Sequence, residues 1–342
     1  MNAAVLHAFD KPPRFEQFPE PIPEPTTAGD EVIVHVQAAA LKPVDKQIAR
    51  GSHYTSPNTL PIVCGIDGIG CLDDGTRVYF AGSRPPFGAM AQRTVVSRQR
   101  CFPVPQEIDD ATAAALINPG VSAWLTLTHR AKLVRGETVL ILGATGVTGK
   151  LAVQIARLLG AGRVIAAGRN QRVLSTLHEF GADATIPLDK PDQDLRESFA
   201  REAGDSGFSV IIDYLWGRPT EVLLEALTRK EFAAAKSDTR LIQVGESAGP
   251  TISLPAAVLR STPLIILGTA GIPPYDILMD AFQQVMTRAA RGELRIEVEQ
   301  VSLGEVENAW LREQHGSRTV FIPPPSFPSD VPTSNKPANP HR

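Results

Sequence analysis

The chain has few of the features that mark several large protein classes. Its 342 residues include only 3 cysteines, too few for a dense disulfide framework, and an odd number suits a reducing compartment. There is no uninterrupted apolar run of about 18 residues that could span a bilayer. Polar residues and prolines interrupt the start, MNAAVLHAFDKPPRF, before a signal-peptide core could form. We therefore expect a cytoplasmic protein.

Excess charge of either sign is also absent. The chain has 34 Lys+Arg against 37 Asp+Glu, a formal net charge of -3. A protein that follows nucleic-acid phosphates normally carries a basic excess, and no basic stripe interleaved with aromatics is visible, so nucleic acid is an unlikely partner. The hydrophobic fraction of 43% is ordinary for a globular protein and excludes wholesale disorder.

Secondary-structure patterns divide the chain in two. Residues 1–115 contain short strand candidates at 31–41, 76–80 and 91–96, separated by Pro-rich and Gly-rich turns, which is typical of a barrel-like β domain. After Asp109 the pattern becomes helical over 110–131, where Pro119 predicts a break into two helices.

A series of alternating strands and helices follows. Strands are predicted at the start of 137–161 and at 163–170, 209–215, 240–245 and 263–268, with helices between them, most clearly at 171–182 and 194–204. Such a βαβ series predicts a parallel sheet and an α/β fold class. The chain returns to short strands over 293–322, and the Pro-rich residues 323–342 are predicted to be a disordered tail.

The clearest motif is a glycine-rich turn between an apolar strand and a helix. It comprises Gly143, Ala144, Thr145, Gly146, Val147, Thr148 and Gly149. This is a relaxed form of the dinucleotide-binding fingerprint, in which glycines let the backbone approach a pyrophosphate and the helix offers free N–H groups to it. A merely tight structural turn is the alternative.

The residues after the second strand indicate which dinucleotide is bound. About 20 residues after Gly149, where NAD-binding sites usually carry an acidic residue, the chain has Gly168, Arg169, Asn170 and then Arg172. Arginines can hold a 2′-phosphate through charge-assisted hydrogen bonds, so we expect NADP(H). A solvated basic loop is the alternative. None of the four tyrosines is followed by Lys four positions later, which argues against a short-chain reductase.

Several blocks in order resemble the medium-chain dehydrogenase/reductase superfamily, in its zinc-independent quinone oxidoreductase branch. The blocks are AALKPVDKQIARG (39–51), CGIDGIG (64–70), FGAMAQRTVV (87–96), NPGVSAWLTL (118–127), the glycine turn, AAGRN (166–170), VGESAG (244–249) and HGSRTVFIP (315–323). The resemblance covers Met1 to about Pro323. It implies a GroES-like β-barrel domain over 1–117 completed by 288–322, a Rossmann domain over 118–287, and an active site in the cleft between them.

The resemblance also identifies where zinc-dependent relatives hold their metal. The positions of the ligating Cys and of the Gly-His-Glu block carry Lys42, Ile66 and Asp67 here. Lys and Ile cannot serve as tetrahedral zinc ligands. The cysteines Cys64, Cys71 and Cys101 are too dispersed for a structural zinc lobe, so no metal is expected.

Candidate site residues follow from the same resemblance. On the catalytic side it implies Lys42 as a stabiliser of negative charge and Tyr54 as a cap of the substrate pocket, although Lys42 could instead be solvated or paired with Asp45. Asp45 is expected to orient Lys42 or the ribose side of the cofactor, and a purely structural role in the turn is the alternative. Around the cofactor it adds Asn118, Ser122, Val244, Gly245, Ser247, Gly268, Thr269 and Arg318, together with the strand end Asp213 to Gly217. Tyr214 and Trp216 are expected to pack rather than to stack on a ligand.

The function implied is reduction of a quinone or an α,β-unsaturated carbonyl with NADPH. Conjugation spreads the incoming charge, so such acceptors suit a site without a metal. A non-catalytic NADPH-binding sensor or scaffold of the same fold is the alternative. A homodimer is expected because the apolar strand at 263–268 needs a cover, and loops such as 51–61 and 271–277 are expected to shape the pocket.

Overall fold

The structure is a computed structural model that describes residues 1–26, 29–228, 238–269, 271, 273–312 and 316–325. Within these residues the chain divides into two compact units. The first comprises Met1–Ala114, 298–312 and 319–325, and the second comprises Ala115–Glu297 and 316–318. The functional domain boundaries given above stay predictions, and the tail beyond residue 325 lies outside the described residues.

The strands of the described chain are, in order, β1 (Asn2–Leu6), β2 (Arg14–Gln17), β3 (Pro25–Thr26), β4 (Gly29–Ala40), β5 (Ile62–Val63), β6 (Asp67–Leu72), β7 (Arg77–Ala81), β8 (Arg93–Ser97), β9 (Cys101–Pro103), β10 (Thr138–Leu142), β11 (Arg163–Gly168), β12 (Ala184–Pro187), β13 (Val210–Asp213), β14 (Thr239–Gln243), β15 (Leu264–Gly268), β16 (Val298–Ser302) and β17 (Arg318–Ile322).

The α-helices are α1 (Pro43–Ala49), α2 (Asp110–Leu125), α3 (Val147–Leu158), α4 (Gln171–Thr176), α5 (Asp192–Ala203), α6 (Gly217–Leu227), α7 (Ala256–Ser261), α8 (Tyr275–Ala290) and α9 (Val306–Leu311). Short 3-10 helices lie at Arg98–Arg100, Leu177–Phe180 and Leu303–Glu305, and a π-helical turn at Thr126–Arg130 continues α2.

The first unit is built on antiparallel β structure. A small sheet has the order β2-β1-β5, and a larger one has the order β16-β17-β4-β6-β7-β9, with β3 and β8 also paired to the long strand β4. Inward-facing apolar side chains form its core, among them Leu41, Phe80, Met90 and Phe321. Burial of such side chains contributes about 1.5–3 kcal/mol each, so this face of the sheet is held firmly.

The second unit contains a six-stranded parallel sheet in the order β12-β11-β10-β13-β14-β15. Its strands are nearly continuous apolar runs because helices cover a parallel sheet on both faces. Leu140, Ile165, Phe199 and Ile211 are buried in its core. Strand order reverses between β10 and β13, which is the place where doubly wound sheets open a crevice for a ligand. The predicted α/β fold class is confirmed.

Two details of the sequence analysis are corrected by the structure. Pro119 lies inside the continuous helix α2 and does not divide it. Proline removes one backbone hydrogen bond, but the neighbouring Leu116, Ile117 and Ala123 are at most 1% exposed, so packing of the surrounding turns outweighs that loss. The segment 271–277 is not loop throughout, because α8 begins at Tyr275.

The last residues that the structure describes are hydrogen-bonded to the first unit. The carbonyls of Pro324 and Pro325 accept hydrogen bonds from the side chain of Gln92, at 3.3 and 3.1 Å.

Among the residues that the structure describes, none of the helices combines the length and apolarity needed to cross a membrane.

Candidate functional site

Five strand ends lie in one row at the carboxyl edge of the parallel sheet. In the pairing register Leu142 faces Ala167 on one side and Asp213 on the other, and the row continues through Gln243 to Gly268. The loops that follow these residues therefore leave the sheet at the same edge. They contain most of the residues predicted to bind a dinucleotide.

The glycine-rich turn connects β10 to α3 as the sequence predicts. Gly143 has a φ of +85°. The N–H groups of Gly143 and Ala144 both donate to the carbonyl of Ala167, at 2.9 Å each. Helix α3 then begins at Val147, with Gly146 as its N-cap residue. The first N–H groups of a helix have no intrahelical acceptor, so this turn presents donors and the positive end of the helix dipole to a ligand.

Close packing of the turn depends on Gly149. A Cβ atom at this position would collide with the backbone of Gly143 and Ala144. By contrast, a Cβ at Gly146 would meet only the carbonyl oxygen of Gly143, at 3.4 Å, and Gly146 is exposed. The turn is thus folded tightly on itself at Gly149 and open on the side of Gly146. A phosphate group fits an open backbone face of this kind.

Basic residues follow β11 at the same edge. Arg169 and Arg172 are exposed, and neither forms an ion pair with any residue that the structure describes. The side chain of Asn170 accepts a hydrogen bond from the N–H of Val173 at 3.1 Å and so caps α4. The guanidinium groups of Arg169 and Arg172 are therefore available to a ligand, whereas the side-chain oxygen Oδ1 of Asn170 already accepts a hydrogen bond.

The turns after β13 and β14 are linked to each other. The N–H groups of Val244 and Gly245 donate to the carbonyl of Asp213, at 2.8 and 3.1 Å, and the hydroxyl of Ser247 donates to the carbonyl of Tyr214 at 3.0 Å. The predicted residues Val244, Gly245 and Ser247 thus form one continuous surface with the end of β13.

A cavity of about 370 Å³ in the second unit brings further predicted residues together. Ser122 on α2 and Thr269 after β15 both line it, with Thr126 and His129. Asn118 lies one helical turn before Ser122 and is half-buried. Hydroxyl and imidazole groups make this wall polar, so it suits the polar ring substituents of a ligand.

Arg318 is connected to the first turn of α3 through Glu297 and Lys150. It is 3% exposed, and its backbone N–H donates to the carbonyl of Glu297 at 2.8 Å. The side chain of Glu297 pairs with Lys150, at 3.4 Å, and Lys150 also contacts Gly316 closely. The predicted Arg318 thus lies in the same neighbourhood as the glycine turn, through Lys150, a residue that the sequence analysis did not select.

The first unit holds a buried group of three charges. The Nζ atom of Lys42 lies 2.7 Å from Oδ1 of Asp67 and 4.0 Å from Oδ2 of Asp45, and all three side chains are at most 3% exposed. Lys42 also donates to the carbonyl of Ala40 at 2.9 Å. Of the two alternatives left open for Lys42, the structure thus excludes a solvated side chain.

Asp45 has a structural role beside its charge. It is the third residue of α1, and its carboxylate accepts the N–H of Lys42 at 2.8 Å and that of Ile66 at 3.1 Å. These bonds connect the start of α1 to the segment before β6. Burial raises the pKa of the Asp45 carboxyl, although the Lys42 ammonium acts in the opposite direction.

A cavity of about 190 Å³ lies in the first unit and is mostly apolar. Ile48, Ile62, Val63 and Phe87 contribute to its wall, and Asp45 and Cys64 contribute polar atoms. Tyr54 is not among the described residues that line this cavity. Its side chain is 92% exposed and stacks on His53, with ring centroids 4.1 Å apart.

Asp67 is the residue of this group that the sequence analysis missed as a functional candidate. It was compared with zinc ligands and set aside with Ile66, whereas the structure places its carboxylate 2.7 Å from the ammonium of Lys42. An acidic residue in one family block and a basic residue in another would have been the signal for an ion pair.

The remaining titratable groups show no arrangement for a metal ion. Among the described residues, no group of three or more His, Cys, Asp or Glu side chains has the placement to hold one. The three cysteines are free thiols, and burial raises the pKa of Cys101 to about 11. Thiols of this kind are poor metal ligands at neutral pH because the thiolate is the ligating form.

The chain is similar to known dehydrogenases and quinone reductases. A family model described as zinc-binding dehydrogenase matches residues 147–270, which contain neither Lys42 nor Asp67. A probable NADPH-dependent quinone reductase of Emericella nidulans is 25% identical over 94% of this chain and 100% of its own length. A 2-methylene-furan-3-one reductase of Solanum lycopersicum is 29% identical over 51% of this chain and 49% of its own length.

Among solved structures, the quinone oxidoreductase of Thermus thermophilus, whose complex with NADPH is also known, is 26% identical to this chain. It superposes with a TM-score of 0.75 and covers 94% of this chain and 100% of its own. The family resemblance drawn from the sequence is confirmed by these matches.

Proposed function

Because the chain belongs to the quinone oxidoreductase-like branch of the medium-chain dehydrogenase/reductase family, we propose that it is an NADPH-dependent reductase of quinones or α,β-unsaturated carbonyls. The observation that carries the proposal is the open glycine turn of the second unit, next to the exposed Arg169 and Arg172. The relatives above are named for NADPH and for conjugated acceptors, and their chemistry is consistent with this site.

The residues at the carboxyl edge fit a dinucleotide with a 2′-phosphate. The N–H groups at the start of α3 would bind the pyrophosphate, and Arg169 and Arg172 would bind the 2′-phosphate by charge-assisted hydrogen bonds. Ser122 and Thr269 would orient the nicotinamide end through their hydroxyls. When bound, NADPH supplies a hydride equivalent for reduction of the acceptor.

On the acceptor side, Lys42 is a fixed internal cation. Asp67 holds its ammonium at 2.7 Å, and Asp45 holds the backbone of the same residue. We expect this positive charge to favour the negative charge that develops on an acceptor oxygen. The ammonium occupies the place beside these carboxylates, and neither Lys42 nor Ile66 can ligate a metal ion, which supports a zinc-independent reaction.

We also propose that the protein is cytoplasmic and that two copies of it form a homodimer. Strand β15 is the last strand in the sheet order, and Ile265 in it is 40% exposed. Pairing of two such edges would cover both, which supports a homodimer.

The cofactor experiment tests the proposal directly. We expect the purified protein to bind NADPH tightly and NADH poorly when each is titrated and followed by fluorescence. Replacing Arg169 by Ala should weaken NADPH binding by about 1.5–3 kcal/mol, since it removes a charged partner of the 2′-phosphate, and leave NADH binding unchanged. The matched control is Arg201→Ala, which removes an exposed arginine of α5.

The outcomes separate the competing functions. Equal binding of NADPH and NADH, unaffected by Arg169→Ala, would contradict the 2′-phosphate assignment. Tight NADPH binding without turnover in a screen of quinones and enones would favour the non-catalytic sensor or scaffold instead.

A further inference from the structure

One side of helix α2, continued by the π-helical turn after it, is polar and borders the cavity of about 370 Å³ in the second unit. Four polar residues of this side line the cavity, namely Ser122, Thr126, His129 and Arg130. Their spacing, i, i+4, i+7 and i+8, places them on one face of a helix. On the opposite face Trp124 and Leu127 are at most 5% exposed. The helix is thus buried on its apolar side and presents polar groups to the cavity.

The π-helical turn fixes the far end of this polar face. The N–H of Ala131 donates to the carbonyl of Thr126 at 2.8 Å, one residue further back than in an α-helix. The carbonyl of Ala131 accepts a hydrogen bond from the guanidinium of Arg240 at 2.5 Å. Single π-helical turns within helices are rare and occur frequently at functional sites. The backbone that carries His129 and Arg130 is therefore set by the fold before any ligand binds.

The described wall of this cavity contains a cation and no acid. Arg130 is half-buried there, and its guanidinium is charged at every physiological pH. None of the described residues that line the cavity is acidic. Glu137 pairs with Arg240 beyond the π-helical turn, and Asp276 is an exposed residue of α8. The wall therefore favours a negatively charged group over a positively charged one.

The chemistry of the wall suits a carboxylate or a phosphate. A guanidinium has five N–H donors in a planar fork, so it can bind two oxygens of such a group while it also holds a protein group. The half-buried ring of His129 makes no hydrogen bond or ion pair with any residue that the structure describes, and its N–H can donate as well. The cavity volume lies within the range of about 300–1,000 Å³ typical of small-molecule sites.

We propose that this cavity binds an anionic group, a carboxylate or a phosphate, held by Arg130 and by the ring N–H of His129. Ser122 and Thr269 also line the cavity, and the proposed function assigns them to the nicotinamide end of the cofactor. The anionic group therefore belongs either to the acceptor, as a carboxylate or phosphate on the conjugated carbonyl compound, or to a separate small molecule. Only the first source rests on the proposed function.

Inorganic phosphate is the probe, and the NMR signals of the His129 ring report where it binds. His129→Gln identifies these signals by their loss. At constant pH and ionic strength we expect phosphate to shift them saturably in the wild type. Arg130→Gln should raise the dissociation constant read from these signals at least about 10-fold, because it removes charge-assisted hydrogen bonds. Arg130→Lys keeps the charge but loses the planar fork, so its dissociation constant should be intermediate.

The matched control is Arg201→Gln, which removes an exposed arginine of α5 and should leave the dissociation constant unchanged. Melting temperatures of the ligand-free variants show whether each is folded, and Arg130→Lys decides the question if Arg130→Gln is not. Signals of His129 that do not respond to phosphate would overturn the proposal. An equal dissociation constant in the wild type and in the folded Arg130 variants would do the same.

A matched pair of enones identifies the source of the anionic group. β-Acetylacrylate carries a carboxylate that its methyl ester lacks. If the group is part of the acceptor, Arg130→Gln should lower kcat/KM for the acid at least about 10-fold more than kcat/KM for the ester. Equal effects on both, together with phosphate binding that depends on Arg130, assign the cavity to a separate small molecule. Failure of the wild type to bind NADPH would refute the proposed function and leave the anion site in place.

Discussion

Three charged side chains in the first unit depend on one another. Lys42 contributes one positive charge, and Asp45 and Asp67 contribute up to two negative charges, in a place where none is more than 3% exposed. Transfer of an isolated charge from water to such a place is very costly, and only the opposite charges offset that cost. Removal of one partner is therefore far more damaging than removal of an oppositely charged pair.

We expect Lys42→Met to lower the free energy of unfolding at pH 8 by about 3–5 kcal/mol, because it leaves two buried carboxylates without their cation. Burial raises the pKa of the Asp45 carboxyl in the folded state, and loss of the ammonium, which opposes that effect, raises it further above the unfolded value. The folded state then binds more protons than the unfolded state, so stability falls as the pH rises. Urea denaturation at pH 5 and pH 8 should show the smaller deficit at pH 5.

The double variant Lys42→Met/Asp67→Asn is the control, because it removes a charge of each sign. It should recover much of the stability at pH 8. A single variant Lys42→Met that is as stable as the wild type at pH 8 would show that the buried ion group does not exist in solution.

Some of these residues could be found from the sequence and some could not. Lys42 and Asp45 stand three positions apart at the start of a helix, so their proximity follows from local geometry. Asp67 is 25 positions from Lys42, and its approach depends on how β6 packs against α1.

At the scale of elements, the turn between β10 and α3 contains one glycine that the packing requires and another that has free space beside it. Gly149 has no room for a side chain, whereas Gly146 has a φ of -79° that any residue can adopt and open space beside it. The two positions allow the fold and the ligand site to be perturbed separately.

We expect Gly146→Ala to change the free energy of unfolding by less than about 1 kcal/mol, since the smaller entropy of the unfolded chain offsets the weaker helix cap. The new methyl group should obstruct the approach of a pyrophosphate and weaken NADPH binding at least about 10-fold. Thermal melts and calorimetric titration measure the two effects.

Gly149→Ala provides the contrast, because its methyl group would collide with the backbone of the turn. It should lower the melting temperature of the ligand-free protein. If Gly146→Ala bound NADPH as well as the wild type, the pyrophosphate could not lie at this turn.

Elements with a strong local signal were predictable. The strands β10, β11, β13 and β14 are apolar runs next to helical patterns, and the glycine turn marks the first of them. Strand β12 was not predicted, because four residues, ATIP, carry too little periodicity. The break predicted at Pro119 was wrong because local preference yields to packing in a buried helix.

At the scale of the whole molecule, the edge strand β15 of the parallel sheet bears on how copies of the chain assemble. Ile265 on β15 is 40% exposed, and Leu259 on the preceding helix α7 is 52% exposed. Within the described part of the chain β15 pairs with β14 alone, so its other edge is unpaired there. Exposed edges of this type pair readily with another chain.

We expect Ile265→Lys to convert a homodimer into monomers, because a charge at the edge opposes strand pairing. Sedimentation velocity of the two proteins at equal concentration measures the change. The control is Val134→Lys, since Val134 is 60% exposed in a turn outside β15. A wild type that sediments as a monomer would contradict the proposed dimer.

The buried ion group also limits how the chain can evolve. Replacement of Lys42 by a metal-ligating Cys would remove the cation before any metal site exists, because position 66 would still be Ile. A path to a zinc centre that begins with Lys42→Cys therefore passes through a protein with uncompensated buried charge. A lineage that lost Lys42 first would therefore become less stable before it gained a metal site, unless other positions changed at the same time.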